Sequence, residues 1–198
     1  MYRIRPLHWA ESGRGFERWF FRLRYLNAMT QDEYDQFFER HQRKGYIPIE
    51  DLLEEARNNQ PDGWNPRAPR YESAAHNLFY LVKVEMMSTF RMDKHTVKTC
   101  LSLYVSVGKG LDVLENTDCF FQFVYPQVFA TVDITKRSDK KPNRADIILT
   151  KKDIESGNCL VVAREIAELL HKRYILHVEK KEIEVVEGWG PGGITSEF

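Results

Sequence analysis

Two runs of apolar, aromatic and β-branched residues, Cys119–Tyr125 and Val128–Thr135, stand on either side of Pro126-Gln127. Their composition predicts two strands of a hairpin turned about that dipeptide. Charge intrudes at two places: Asp118 at the start of the first strand and Asp133 near the end of the second, with fourteen residues between them. A tight hairpin brings both to one side. An ionised carboxylate at a strand end is costly unless it is paired, solvated or bound to a cation. Two of them on neighbouring strands suggest a site for a hard divalent metal. The plainer alternative is a pair of strand-end aspartates satisfied by backbone donors or by nearby lysines.

The rest of the chain changes period twice. Phe16, Trp19, Phe20 and Leu23 recur at helical spacing and predict a helix over Gly13–Asn27. Arg14, Arg18, Arg22 and Arg24 alternate with these aromatics. They are either the solvated face of an amphipathic helix or a basic, stacking surface for a nucleic acid. Thr30-Gln31-Asp32-Glu33 fits a capping box that starts a second helix ending near Lys44-Gly45, and a third helix follows over Ile49–Asn58. Pro61, Gly63, Pro66 and Pro69 then mark an extended connector.

Beyond it, Glu72–Phe90 reads as a long helix burying Ala75, Leu78, Phe79, Val82 and Met86, and Asp93–Val107 as another. After the hairpin come a polar, basic loop, Lys136–Asn143, and a third strand over Arg144–Thr150. A helix over Asn158–Arg173 has Leu160, Ala163, Ile166, Ala167 and Leu170 on one stripe, and Tyr174–Val178 and Glu182–Val186 read as short strands about Glu179-Lys180-Lys181. The glycine-rich end after Gly188 leads into no helix and is expected to be a flexible tail, not a phosphate cradle. The fold class is therefore α+β: a helical N-terminal extension over 1–69, an α+β core domain with a mixed sheet over 70–188, and a tail over 189–198.

Composition narrows the function. With 29 basic and 29 acidic residues the formal net charge is zero, so attraction to a polyanion must come from local clustering. Cys100, Cys119 and Cys159 stand far apart in apolar surroundings and are expected to be reduced, buried thiols. His95 and His177 have no partner at metal-ligand spacing. The amino terminus lacks the apolar stretch of a signal peptide and no segment is apolar enough for a membrane span, which predicts a cytoplasmic protein.

From residue 93 onward the expected order is helix, strand, strand, strand, helix, strand, with one acid opening the first strand and another near the end of the second. This pattern resembles the core of the PD-(D/E)XK nuclease superfamily, which includes restriction enzymes, recombination nucleases and many small phage proteins. The resemblance covers about residues 93–178 and implies a nuclease-like core and metal-dependent hydrolysis of DNA phosphodiester bonds, in a protein of phage or mobile-element type. It implies Asp118 as the first aspartate and Asp133 as the second acid, both holding Mg²⁺ or Mn²⁺. The superfamily's lysine two positions later is Thr135 here, with Lys136 next to it and Lys140 or Lys141 able to reach in. Lys136 is thus the candidate catalytic cation, and Arg137, Lys140, Lys141 and Arg144 the candidate phosphate grip. Asp146 is either a partner for Lys136 or Lys140 or a solvated strand end; Glu85 and Glu115 are further acids to be placed.

Three functions follow as alternatives. One is the nuclease; the second is a non-catalytic module of the same fold that binds nucleic acid, for which Thr135 speaks. The third is a structural or assembly protein acting through the aromatic N-terminal segment, where Trp9, Trp19, Phe20, Phe21 and Tyr25 crowd together and suit a homo-oligomer or protein partner.

Overall fold

The computed structural model describes residues 13–25, 30–42, 47–136 and 144–187. Three helices come first, α1 (Gly13–Phe21), α2 (Gln31–Gln42) and α3 (Ile49–Asn58), followed by α4 (Ala74–Ser88) and α5 (Lys94–Cys100). Strand β1 (Leu101–Val105), the short α6 (Gly110–Glu115), β2 (Cys119–Phe123), β3 (Val128–Thr135) and β4 (Ile147–Thr150) follow. The short α7 (Lys151–Glu155) and the long α8 (Cys159–Glu187) close the chain.

The sheet runs β1-β2-β3-β4, with the first three strands antiparallel and β4 parallel to β3. Because side chains alternate across a strand, the register divides the sheet into two unlike faces. Leu101, Leu103, Val105, Phe121, Phe123, Ala130, Val132, Ile134 and Leu149 form one face and share a core with α1, α4 and α8. On the opposite face Phe120 packs with Leu52, Leu53 and Ala56 of α3, with Leu111 and with Phe37. The sheet is thus sandwiched between helices, and the N-terminal helices contribute to both layers.

The expected α4 stripe is buried throughout, as are Phe16, Phe20 and Leu23 of the first helix, with Trp19 half-buried against them. The Thr30 capping box forms: Thr30 N–H donates to Glu33 Oε2 at 2.8 Å and Glu33 N–H to Thr30 Oγ1 at 3.3 Å. The connector has a definite task. Gln60 accepts from Val105 N–H at 2.9 Å and donates to Val105 O at 2.9 Å, Pro66 O accepts from Leu103 N–H at 2.8 Å, and Trp64 Nε1 donates to Leu103 O at 3.0 Å. The free edge of β1 is therefore covered by side chains and by an irregular segment instead of being left open to pairing.

Several expectations fail. The helix expected over Asp93–Val107 ends at Cys100, and Leu101–Val105 is strand β1. Leu101, Leu103 and Val105 alternate with Ser102 and Tyr104, so the segment satisfies period 2 as well as period 3.6, and pairing with β2 decides between them. The short strands expected over Tyr174–Val178 and Glu182–Val186 are absent, because α8 runs through both. No Gly or Pro interrupts Asn158–Glu187 apart from its flanks, Glu179-Lys180-Lys181 are good helix formers, and Tyr174 packs against Phe123 with ring centres 6.0 Å apart. The order helix, strand, strand, strand, helix, strand is accordingly corrected: the fourth strand precedes the aspartate hairpin instead of following the long helix. Within α8, Leu160 is exposed and Val162 takes its place in the stripe. The expected third strand is shorter, Ile147–Thr150, and of the cysteines only Cys119 is fully buried. No helix among the described residues is long and apolar enough to cross a membrane.

Candidate metal and phosphate site

Asp118 stands immediately before β2, where the ladder with β3 ends irregularly. Cys119 is the register partner of Val132, yet Asp118 N–H also donates to Val132 O at 3.0 Å. Asp118 and Cys119 thus both face Val132 of β3, as in a β-bulge, a device that re-aims a side chain at a strand end. The Asp118 carboxylate then continues the ladder in place of the backbone: Oδ2 accepts from Ile134 N–H at 2.6 Å. Its carbonyl accepts from Ser106 N–H at 2.8 Å, and the neighbouring Thr117 carbonyl accepts from Ser106 Oγ at 2.5 Å. The aspartate is pinned from both flanking strands.

Asp133 lies one residue before Ile134 on β3, and both aspartates are buried, 4% and 3% exposed. The hairpin does bring them to the same end. Two further acids join from elsewhere: Asp112 of α6, whose Oδ2 accepts from Gly108 N–H at 2.7 Å, and Glu17 of α1. Burial pushes the Asp118 carboxyl well above the ordinary carboxylate range, and Asp112, Glu17 and Asp133 push the same way against the single Ile134 donor. Burial, with the charges of Asp118 and Asp133, also raises the Cys119 thiol, which makes it an inert core group. Glu17 and Asp112 were not legible as site residues, since only the packing of α1 and the turn into α6 bring them there.

Among the described residues no three His, Cys, Asp or Glu side chains are grouped closely enough to hold a metal ion. Two carboxylates nevertheless match Mg²⁺ in kind, because that ion keeps several waters and takes only one or two protein carboxylates in phosphate-handling sites. The donor set is hard oxygen throughout, and the repulsion among these acids is what a cation would relieve.

The cationic residues divide. Lys136 directly follows β3 and is half-buried. Arg144 is exposed and pairs with Glu115 at 2.9 Å, so Glu115 is that arginine's partner. Arg137, Lys140 and Lys141 lie outside the described residues. Glu85 is buried between helices instead, accepting from Arg164 Nε at 3.1 Å and Thr89 Oγ1 at 2.9 Å, and Arg164 holds its carboxyl below the ordinary range. His95 is exposed on α5 and His177 half-buried on α8.

Asp146 has an arginine of α8 as its partner. Its two oxygens take the Arg173 guanidinium at 2.8 and 3.0 Å, and Oδ2 also accepts from Thr131 N–H and Oγ1, each at 2.9 Å. Burial alone would raise this carboxyl, but Arg173 and Thr131 outweigh it and hold it below the ordinary range. Arg173 further donates to Phe129 O and lies over the Phe129 ring, 5.5 Å from its centre. The group closes the stretch of β3 that β4 is too short to cover.

No protein-family model, curated protein or solved structure matches this chain.

Proposed function

We propose that this protein hydrolyses phosphodiester bonds of DNA with the help of Mg²⁺ or Mn²⁺ held by Asp118 and Asp133, on a nuclease-like core. The observation that carries this reading is the burial of Asp118 and Asp133 at the same end of the β2-β3 hairpin, with Asp112, Glu17 and Asp133 all acting on Asp118. A buried carboxyl raised by its surroundings, as Asp118 is, is a frequent mark of a functional site. The sheet is mixed, with β1-β2-β3 antiparallel and β4 parallel to β3, but the element order differs from the one the resemblance implies, so the reading stands on the two aspartates.

A cation bound there supplies charge neutralisation at the phosphoryl group and acidifies an attacking water. The chain supplies the rest. Ile134 N–H fixes the orientation of the Asp118 carboxylate, and Lys136, next to Thr135, is the nearest candidate in sequence to stabilise the charge that grows on phosphate. Arg137, Lys140, Lys141 and Arg144 add positive charge on the segment that follows, suited to gripping a phosphate backbone without reading sequence.

Thr135 favours a second reading, a non-catalytic module that binds nucleic acid, because a threonine hydroxyl cannot replace a lysine ammonium. One assay separates the two: labelled single- and double-stranded DNA and RNA with Mn²⁺, using the wild type and Asp133→Asn. The nuclease reading expects cleavage by the wild type and a loss of about 100-fold or more in the variant, the scale of removing one electrostatic contributor to a transition state. Binding without cleavage by either protein carries the second reading.

A further inference from the structure

We infer that the protein carries a second nucleic-acid surface, built from α1 and the connector, that holds a single strand beside the acidic corner. The inference builds on the proposed function in taking a nucleic acid as the ligand, but it rests on different residues.

Four arginines separated by up to 52 positions in sequence meet on this surface. Arg18 Nη2 donates to Arg24 O at 2.5 Å, Arg22 Nη1 to Tyr71 O at 3.0 Å and to Glu72 Oε2 at 3.1 Å, and Arg70 Nη1 to Arg22 O at 3.1 Å. All four are exposed, and the Glu72 carboxylate is the acid paired among them. The guanidiniums of Arg18, Arg22 and Arg70 retain N–H groups beyond the bonds named, in positions set by those bonds. Two large aromatics belong to the same surface. Tyr71 is 61% exposed, with its ring edge-on to His76 at 5.3 Å, and Tyr25, next to Arg24, is 77% exposed.

The backbone adds an independent sign. Helix α1 ends with Leu23 N–H donating to Arg18 O and Arg22 N–H to Trp19 O, a termination that puts Arg22 in the left-handed region at φ 54°. Glycine is the residue that takes this position without penalty. Its ion-pair partner Glu72 is left-handed too, at φ 63°. Two side-chain-bearing residues in glycine's conformation, facing each other across an exposed arginine cluster, are local strain of the kind that concentrates at ligand clamps.

Fixed guanidiniums interleaved with exposed tyrosines suit a polyanion whose bases are free to stack, which is a single strand and not a duplex. Glu17, whose charge acts on Asp118, immediately precedes Arg18 on α1, so the same helix carries both an acid that acts on Asp118 and the first of these arginines.

The test is binding of a fluorescein-labelled oligothymidylate of twenty nucleotides in EDTA, read by anisotropy across a salt series, for the wild type, Arg22→Gly and Tyr71→Ala. Glycine preserves the left-handed turn, so Arg22→Gly should melt like the wild type while its Kd rises about fivefold and its salt slope falls by about 0.7, the contribution of one lost phosphate contact. Tyr71→Ala should weaken the single strand about fivefold or more through lost stacking, and leave a duplex of the same length unaffected. Unchanged Kd and slope in both folded variants, or no binding by the wild type, would overturn the inference. Separate assays with Mn²⁺ keep the two claims apart. Weakened binding in the variants without any cleavage supports this surface and removes the nuclease; cleavage with unchanged binding does the reverse.

Discussion

Asp118 and Asp146 each stand one residue before a strand of the same sheet, and each carboxylate accepts a backbone N–H from β3, one from Ile134 and the other from Thr131. There the likeness ends. Asp146 meets the Arg173 fork and the Thr131 hydroxyl, and its carboxyl is held low; Asp118 is driven high, first by burial and then by the charges of Asp112, Glu17 and Asp133. One corner is electrostatically complete and closes the sheet. At the other, burial and neighbouring carboxylates raise Asp118, and a cation bound beside it would offset that field. The same residue type at the same kind of position therefore has opposite consequences for stability, and the difference lies in what the helices deliver: α8 brings an arginine to one corner, while α1 and α6 bring acids to the other.

Removing each carboxylate sharpens the contrast. Asp146→Ala leaves Arg173 and the Thr131 donors without their acceptor and should cost about 2–3 kcal/mol in urea unfolding, discounted from a fully buried pair because Arg173 is partly exposed. Its pH dependence has a definite sign. A carboxyl held low in the folded state stabilises above its unfolded pKa, and that contribution is lost as pH falls through the folded value, so the variant and the wild type should converge in acid.

Asp118→Asn should act oppositely. The amide oxygen still accepts from Ile134, while the buried charge is gone, so stability at neutral pH should rise by about 1–2 kcal/mol, as often happens when a functional residue is removed. A carboxyl raised in the folded state favours folding when protonated, and this support is full below its unfolded pKa and lost as pH rises toward the folded value. The gain should therefore shrink toward zero near about pH 4, the ordinary range for aspartate. Urea midpoints for both variants at several pH values check both signs. A destabilising Asp118→Asn at neutral pH would make the two corners alike.

Much of the fold was legible from local signals. The third helix runs over Ile49–Asn58 as its pattern implies, the hairpin closes about Pro126-Gln127, and Thr30 and Glu33 cap each other. What escaped was decided by partners distant in sequence. Leu101–Val105 is compatible with two periods until β2 claims it, and the β-branched residues after Tyr174 look like strands until α8 carries them along one helix. Within the site, the two aspartates were visible because charge interrupts apolar strands. Arg173 for Asp146, and Glu17 and Asp112 for Asp118, carry no such mark: they are ordinary helix residues whose importance comes only from where packing places them.

A divalent cation held by Asp118 and Asp133 would bind the folded protein and not the unfolded chain. Thermal unfolding with and without Mn²⁺, for the wild type and Asp133→Asn, tests it without requiring catalysis, because a ligand of the folded state raises its melting temperature by mass action. The account expects a rise that grows with Mn²⁺ concentration in the wild type and is lost in Asp133→Asn. No rise in the wild type, or an equal rise in both proteins, would contradict it.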